Sequence, residues 1–415
     1  IAADHNQLVM EMMERVALRH GMVCLLHEKP YAGINGSGKH NNWSLATDDG
    51  HNLLEPGDTP HENAQFLLVI AALIKAVDIH ADMLRRSAAN AGNDHRLGAN
   101  EAPPAIVSIF LGEELTDIFN AIAQGKKAMN KGQSFLRIGV DTLPHLPKDN
   151  TDRNRTSPLA FTGNKFEFRM VSSSASISGP NVVLNTIVAE AFDEISTRLE
   201  KSKNVNEEAT KIVKEIINQH GRVIFNGNNY SEEWVVEAEK RGLPNIKSTV
   251  EALKTFNTDK TLNIFEKYKV LTKEESLARQ EIYLEQYSLR INIEAKTAIS
   301  MVKTLFIPAV VEYMTELGES IQSVEAAGSS AGVQKDILVK ISKLLESAYK
   351  KLAKLEAELA KAQAISHDAE KKADFYKDKI CPAMKDIRVD IDTLESLVDK
   401  GLWPVPTYQD LLFSL

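Results

Sequence analysis

Hydrophobic and polar positions follow two different patterns along the chain, and the change falls near residue 225. Before it, stretches with helix or strand periodicity alternate with polar loops rich in Gly, Asn, Asp and Pro. After it, apolar residues recur mostly every three or four positions, which is typical of amphipathic helices. The pattern therefore predicts four parts: an α+β region at 1–225, a connecting helical segment at 226–272, a long antiparallel helical hairpin at 273–400, and a tail at 401–415 that packs back on the body.

The first region is predicted to mix helices with strands. The stretch 165–171 alternates strictly between apolar and charged residues, so its three charged side chains share one face of a half-buried strand. Those three residues are Lys165, Glu167 and Arg169. The other predicted elements are helices at 6–20, 64–88, 105–124, 180–201 and 207–220, a buried strand at 22–26, and loops at 30–63, 89–104 and 139–164.

The second region is predicted to be almost entirely helical. One long helical pattern covers 273–327, with a kink expected at Pro308. A turn at 328–332 follows, and then a heptad seam runs from 341 to 380. Because the turn is short, an antiparallel hairpin is favoured over a free dimerising coil. Pro382 is expected to break the second helix.

Composition narrows the possible classes of protein. Of the 415 residues, 43% are hydrophobic and 26% charged, as in soluble globular proteins. The net charge of −8 gives no general attraction to nucleic acid or anionic lipid, so neither is expected as a partner. The longest apolar run, 66–77, is too short to span a membrane and predicts a buried core helix. Two distant cysteines, Cys24 and Cys381, fit a reducing compartment, and a cytoplasmic location is expected.

Two polar clusters combine residue types that bind phosphates and carboxylates. The first follows Lys29-Pro30 and reads Asn-Gly-Ser-Gly-Lys-His over 35–40, where glycines allow a ligand to approach the backbone. A polar turn with a surface histidine is the open alternative. The second, at 93–104, places Arg96 and Glu101 in a loop between two buried helices. A solvated loop with a local ion pair is the alternative there.

A third cluster joins Arg153-Asn154-Arg155 to the charged face of 165–169. A row of cation, anion and cation on one strand face suits a platform for metal and phosphate. A salt-bridged outer face of the sheet explains the same row equally well.

In this order, the three clusters resemble glutamine synthetase, and their details are similar to its type III members. The type III features are Asn41-Asn42-Trp43-Ser44 after the histidine and a long helical extension after the core. The motifs that carry the resemblance are Lys29-Pro30 through Asn-Gly-Ser-Gly-x-His to Ser44 (the ATP-region signature), Glu101-Ala102-Pro103 (the flap), Asn154-Arg155-Thr156-Ser157 (an Asn-Arg-Ser-Ala stretch) and Lys165 to Arg169 (an Arg-x-Glu-x-Arg strand).

The resemblance implies the C-terminal portion of a glutamine synthetase/guanido-kinase-like catalytic domain, with antiparallel strands and helices. It implies ATP-dependent ligation of ammonia to L-glutamate through γ-glutamyl phosphate. ATP and Mg²⁺ (or Mn²⁺) would be the cofactors, and glutamate and ammonium the substrates. The expected assembly is a ring-stacked homo-oligomer, with a dodecamer favoured.

Roles also carry over from the resemblance, residue by residue. His40 and Glu167 would bind the divalent ion that bridges the nucleotide phosphates. Ser44 and Lys165 would serve the nucleotide, and Arg155 would clamp phosphate or glutamate. Lys165 stands where the family usually has Arg, which keeps the charge but loses the bidentate fork.

The substrate side of the implied site involves a second set of residues. Asn35 and Gly36 would line the glutamate pocket. Arg96 and Arg169 would hold the substrate carboxylate and the transferring phosphoryl group. Glu101 would close the flap and exclude water from the intermediate. The implied catalytic set is Glu101, Arg155 and Arg169.

Some of the family's pattern is absent, and two alternatives stay open. Asn42 replaces the second histidine of many relatives, which puts an adenine or ribose contact in doubt. The resemblance implies further carboxylate ligands upstream of Ile1, so this segment alone is expected not to turn over. The alternatives are a catalytically inactive homologue that acts as an assembly module, and a γ-glutamyl ligase that uses another amine.

Overall fold

The structure is a computed structural model that describes residues 1–31, 33–99, 102–126, 135–136, 146–147, 156–406 and 410. Its contacts separate two compact units, Ile1–Gln280 and Glu281–Leu415. The predicted four-part division stays a prediction. The helices that begin in the first unit are α1 (Ala2–Arg19), α2 (Ala64–Ile79), α3 (Ala81–Ser87), α4 (Asn93–Arg96), α5 (Glu113–Ala123), α6 (Ser178–Glu200), α7 (Val205–His220), α8 (Glu232–Lys240), α9 (Thr249–Lys254), α10 (Asp259–Lys267) and α11 (Lys273–Met301).

A four-stranded sheet lies in the first unit, which confirms the α+β class. Its strand order is β1–β6–β5–β2; β6 pairs antiparallel with both neighbours, whereas β2 and β5 are parallel. The parallel pair departs from the antiparallel arrangement implied by the resemblance, and a connection containing α5 joins its two strands. The described strands are β1 (Gly38–Trp43), β2 (Ile109–Phe110), β3 (Phe135–Leu136), β4 (Leu146–Pro147), β5 (Leu159–Phe161) and β6 (Phe166–Ser172). The pair β3–β4 is a separate ribbon.

Helix α2 is the central helix of the first unit's core. The side chain of Asn63 caps it by accepting a hydrogen bond from the amide of Phe66. Eleven of its sixteen residues are buried, and it packs against α6 and α7. The buried core helix predicted from the apolar run is confirmed, but it ends at Ile79, and α3 begins separately at Ala81.

Several predicted segments contain elements that local sequence did not reveal. The predicted loop 139–164 contains β4 and β5, and the predicted loop 89–104 contains the short helix α4. The predicted loop 30–63 contains β1, and the predicted helix 105–124 opens with β2 before Gly112 turns the chain at φ 81° into α5. Each strand pairs with a segment far along the chain, β1 with β6 and β2 with β5. A short strand stabilised by distant pairing leaves only a weak local signal.

The predicted buried strand at 22–26 is wrong. These residues form no strand, and Val23 is 81% exposed. The preceding helix α1 is where it was predicted, yet none of its residues is buried. A strand needs a neighbour for its backbone hydrogen bonds, and no described segment pairs with this one.

The second unit is a helical bundle built around α13. The turn at 327–331 joins α12 to α13, these two helices pack together, and α15 packs on α13 as a third helix. The predicted seam is interrupted between Ala364 and Ala369. The helices are α12 (Ile307–Ala326), α13 (Gly332–Ala364), α14 (Ala369–Phe375) and α15 (Cys381–Glu395). The buried seam residues of α13 are Ile341, Ala348, Leu352, Leu355, Leu359 and Ala362.

Both prolines of the bundle follow one turn of π-helix. The π-turns are Val302–Phe306 before Pro308 and Tyr376–Ile380 before Pro382. Proline lacks an N–H and clashes with the carbonyl four residues earlier, so the wider turn lets the helix continue past it. The expected break at Pro382 is therefore wrong, since helix continues to Glu395.

The continuous helix Lys273–Ala326, with 54 residues, is long and apolar enough by length and composition to cross a membrane. The sequence expectation of no such segment is corrected accordingly. A single helix of this kind is weak evidence for a membrane, because bundle helices pass the same test. At the C-terminal end, the Trp403 ring stacks on Phe306 with centroids 5.0 Å apart. The packing of the whole tail 401–415 on the body stays a prediction.

Leu352→Ala should lower the free energy of unfolding by about 2–5 kcal/mol, because Leu352 is only 1% exposed in the seam and its truncation leaves a cavity. Val339→Ala on the same helix should change it by less than about 0.5 kcal/mol, since Val339 is 53% exposed. Urea unfolding followed by circular dichroism measures both. Equal effects would contradict the buried seam.

Candidate functional site

The pairing of β1 with β6 brings three predicted site residues into contact. His40 Nδ1 lies 2.9 Å from Glu167 Oε1. The other carboxylate oxygen, Oε2, accepts from Arg169 Nε at 2.8 Å and lies 2.7 Å from Arg169 Nη2. The His40 side chain is 51% exposed, whereas that of Arg169 is 5% exposed. The result is a carboxylate with a buried cation on one side and an accessible imidazole on the other.

The register of β1 against β6 explains why His40 and Glu167 are in contact although 127 positions separate them in the sequence. Asn42 pairs with Glu167 and Asn41 with Phe168, but Lys39 pairs with Val171, so the register shifts at His40. Such an irregularity re-aims a side chain and is common beside functional sites. Together with the alternation along β6, it directs the charged residues to one face of the sheet.

The reverse face of β1 is fastened to helix α6. The buried Asn41 donates through Nδ2 to Asn181 Oδ1 at 2.8 Å, and Trp43 Nε1 donates to Asn185 Oδ1 at 2.9 Å. Asn181 and Asn185 are one helical turn apart and so lie on one face of α6. The strand that carries His40 is thereby held at two points.

The environment keeps Glu167 ionised. Partial burial acts to raise the pKa of this carboxyl, but the hydrogen bond and charge of Arg169, with a smaller contribution from His40, lower it below its ordinary value. The carboxylate is therefore charged near neutral pH. An ionised carboxylate beside an imidazole is a chemically reasonable pair of ligands for a divalent cation.

The glycines of the 35–40 motif are explained by Arg96. A Cβ placed on Gly38 would overlap the Arg96 guanidinium, and one on Gly36 would lie 2.6 Å from the carbonyl oxygen of Glu28 and 3.1 Å from Arg96 Cγ. Close approach of neighbouring atoms requires glycine at both positions, since neither residue has a positive φ. The motif packs directly against the side chain that the second cluster supplies.

Arg96 itself is 4% exposed and makes structural hydrogen bonds. Its Nη2 donates to the carbonyl of Arg169 at 3.0 Å, and its Nη1 donates to Asn93 Oδ1 at 3.2 Å and to the carbonyl of Val171 at 3.4 Å. Asn93 is in turn fixed by donating to the carbonyls of Ala88 and Met170. In this structure Arg96 links α4 to β6 behind the site, and its implied contact with substrate stays a prediction.

Glu28 is a residue of this region that the sequence analysis missed. It is fully buried and accepts hydrogen bonds from the Ser172 hydroxyl and from the Ser174 hydroxyl and amide. Burial acts to raise the pKa of Glu28, but the bonds from the two serines outweigh it and hold the pKa below its ordinary 4.5. The serines that bond to its carboxylate lie 144 or more positions away. The sequence therefore shows only that an acidic residue precedes Lys29, and not that it is buried or hydrogen-bonded.

Lys39 anchors the same turn after β6 from the other side. Its ammonium donates to the carbonyls of Ser173 and Ala175, both at 2.6 Å. Burial lowers the pKa of Lys39, opposed by the charge of Glu28. Glu28, which precedes the glycine motif, and Lys39, which lies within it, thus both fix the segment where β6 ends.

The remaining predicted residues are placed less closely. Asn35 and Ser44 are exposed, and Lys165 is half-buried just before β6. Glu101 and Arg155 lie outside the described residues, so their implied roles stay predictions.

The donor set fits a divalent cation only in part. Within the described ranges there is no group of three or more His, Cys, Asp or Glu side chains that could hold a metal ion. His40 and Glu167 are thus two candidate ligands of one site. Mg²⁺ takes about six, which nucleotide, water or other protein groups must complete.

Comparisons with known proteins give one consistent result. The family model for the glutamine synthetase catalytic domain matches residues 1–89, and that for the glutamine synthetase C-terminal domain matches residues 208–325. A type-3 glutamine synthetase of Dictyostelium discoideum is 45% identical over 100% of this chain and 57% of its own length. Glutamine synthetases of Butyrivibrio fibrisolvens and Bacteroides fragilis are 42% and 38% identical over 100% of this chain, covering 59% and 58% of theirs. The chain spans less than two thirds of each of these relatives.

Gly38→Ala should destabilise the chain by about 1–3 kcal/mol, because the added methyl group displaces the Arg96 guanidinium from its carbonyl partners. Gly318→Ala is the matched control. Gly318 lies within α12 with no atom near a Cβ, so alanine there should stabilise by about 0.5–1 kcal/mol. Denaturant unfolding distinguishes these opposite signs, and a neutral Gly38→Ala would contradict the described contact.

Glu28→Gln should lower stability by about 2 kcal/mol near neutral pH, because it removes a charged acceptor from a buried network. Since the folded pKa of Glu28 is lowered, its contribution is complete above its ordinary 4.5 and is lost as pH falls through the folded value. The difference in the free energy of unfolding between the parent and Glu28→Gln should therefore become smaller as the pH of the unfolding experiment is lowered. The exposed Glu55→Gln should show no such difference, and a constant Glu28→Gln effect at all pH values would refute the assignment.

Proposed function

Since this chain belongs to the glutamine synthetase family, we propose that it takes part in the ATP-dependent ligation of ammonia to L-glutamate, which yields L-glutamine. The observation that carries the proposal is the group of His40, Glu167 and Arg169 on two adjacent strands. The similarity of the whole chain to 57% of a type-3 glutamine synthetase supports it. In this reaction the γ-carboxylate oxygen of glutamate attacks the γ-phosphorus of ATP and ADP leaves. The nitrogen of ammonia then attacks the γ-carbon, and phosphate leaves.

We propose that His40 and Glu167 are the two residues by which this chain binds a metal ion. A divalent ion held by these residues, Mg²⁺ or Mn²⁺, would neutralise phosphate charge, which phosphoryl transfer requires together with positioning of the reactants. Arg169 holds Glu167 in its charged form and in a fixed orientation. Because His40 is half exposed, its imidazole is accessible from solvent to an ion bound with nucleotide.

The other roles in the proposal follow the resemblance. Ser44 and Lys165, at the end of β1 and the start of β6, serve the nucleotide. Asn35 and Gly36 line the glutamate pocket beside the buried Arg96. Arg155 clamps phosphate and Glu101 shields the γ-glutamyl phosphate from water, both as part of the implied catalytic set.

We also propose a homo-oligomer in the cytoplasm, with a ring-stacked dodecamer as the specific form. The exposed apolar side chains of α1, which include Leu8 at 59% and Val9 at 54%, support association because no described part of the chain covers them. Two cysteines without a disulfide are consistent with a reducing compartment. Native mass spectrometry of the complete protein measures the subunit number directly.

Phosphate release by the complete protein should require ATP, glutamate and Mg²⁺ and should rise with ammonium, with glutamine formed in equal amount. Glu167→Gln and His40→Gln should each weaken the binding of Mn²⁺ by at least about tenfold, because each removes one ligand or its charge. Enzyme assay together with Mn²⁺ titration by electron paramagnetic resonance measures both effects.

Matched controls are Glu55→Gln and His51→Gln, which change exposed residues of the same types. Both controls should retain activity and Mn²⁺ affinity. Absence of phosphate release from a folded oligomer would favour the inactive assembly module, and release that ammonium does not raise would favour another amine. Unchanged Mn²⁺ affinity in both site variants would refute the metal assignment even if glutamine is made.

A further inference from the structure

A polar cavity of about 410 Å³ lies entirely within Glu281–Leu415. One wall is a single face of α11, and the others are the end of α13, the link at 365–368 and the start of α14. Its volume is within the range of small-molecule sites. None of its lining residues belongs to the site described above, so the cavity is independent of the proposed function.

Hydrogen bonds show how the cavity walls are oriented. Asn292 Oδ1 accepts from Gln363 Nε2 at 2.9 Å and from the Tyr376 hydroxyl at 3.2 Å. Further back along α11, the Tyr287 hydroxyl lies 3.9 Å from Cys381 Sγ. Asn292 thus contacts Tyr376, whereas the earlier residue Tyr287 contacts the later residue Cys381. Helix α11 and the segment from α14 to Cys381 therefore run antiparallel.

This direction separates the charges that line the cavity. Glu281 and Glu285 lie toward the beginning of α11, whereas Lys296 and Lys372 meet at the other end. Eleven residues separate Glu285 from Lys296, which is about 16 Å along a helix axis. Among the described residues, none of these four side chains forms an ion pair with another side chain. Asp368 also lines the cavity, one turn before Lys372, but its carboxylate caps α14 by accepting from the Lys371 amide at 2.9 Å. The cavity therefore has one end with two carboxylates and another end with two lysines beside this capping carboxylate.

A buried hydroxyl without a partner lies between the two ends. Ser288 is 4% exposed and lines the cavity, and its Oγ makes no hydrogen bond. Burying a hydroxyl without a hydrogen bond costs free energy, so such groups are normally satisfied. The Oγ atom is also shielded from solvent, so a rotation about χ1 toward the cavity would let a polar group of a bound molecule satisfy it.

We propose that the cavity binds a short peptide of two or three residues in its dipolar form. The terminal ammonium is held by Glu281 and Glu285, the terminal carboxylate by Lys296 and Lys372, and a peptide group by Ser288. Three extended residues span about 10 Å, and the long charged side chains cover the remaining distance. A free α-amino acid carries both charges on one carbon and does not reach the two ends.

Isothermal titration calorimetry with the whole chain and triglycine as the probe tests this. Triglycine should bind, and glycine should not. N-acetyl-triglycine and triglycine amide, which each lack one terminal charge, should bind at least about tenfold more weakly. Failure of triglycine to bind, or binding of glycine with equal affinity, would overturn the proposal.

Variants test the orientation of the peptide. Glu285→Gln should weaken triglycine binding and reduce the ratio of the affinity for triglycine to that for N-acetyl-triglycine. Lys296→Met should instead reduce the ratio of the affinity for triglycine to that for triglycine amide. Ser288→Ala should weaken all three peptides. If Glu285→Gln and Lys296→Met affected the two blocked peptides alike, the proposed orientation would be wrong.

The matched controls are Glu316→Gln and Lys340→Met, which replace exposed residues outside the cavity. Both should keep the parent affinity and the parent preference for triglycine. Thermal unfolding of every variant establishes that it is folded at the temperature of the titration. Loss of binding in the controls would overturn the assignment to this cavity.

Discussion

The first unit depends on the contact between the Arg96 side chain and the glycines that open β1. The guanidinium occupies the space that a side chain at Gly38 would need, and it donates to the carbonyls of Arg169 and Val171 on β6. A single buried cation thus joins a loop motif, a short helix and a strand. The shift in register at His40 lies beside this contact, and the shift directs the imidazole toward Glu167.

The charges around β1 and β6 divide into two functional classes by burial. Glu28, Lys39 and Arg96 are directed inward, where serine groups or backbone carbonyls satisfy them. Glu167 and His40 are directed outward, and the imidazole remains accessible. The inward charges hold the strands in place, because removing a partner would leave a buried group unsatisfied. The outward pair is the one to which we assign the metal ion.

In the second unit, backbone irregularities create space without ending the bundle. The π-turns before Pro308 and Pro382 accommodate a residue that has no amide N–H and relieve the steric clash of its ring, so the helices continue. The interruption at 365–368 ends the α13 seam, and the chain leaves a cavity there against α11. The continuous seam of Leu352, Leu355 and Leu359 supplies the burial that allows these interruptions.

The sequence by itself determined the elements whose pattern is local. These include α2, α6, the alternating strand β6, the helical second region and the resemblance carried by the motif at 35–40. Tertiary structure decided what depends on distant partners: β1 inside a presumed loop, the failure of 22–26 to become a strand, and the inward role of Glu28. Periodicity records which face of a segment is apolar, and it contains no information about which distant backbone will accept its hydrogen bonds. His40 and Glu167 lie far apart in the sequence, and only the register of β1 against β6 brings them together. Strand pairing and side-chain packing fix that register jointly.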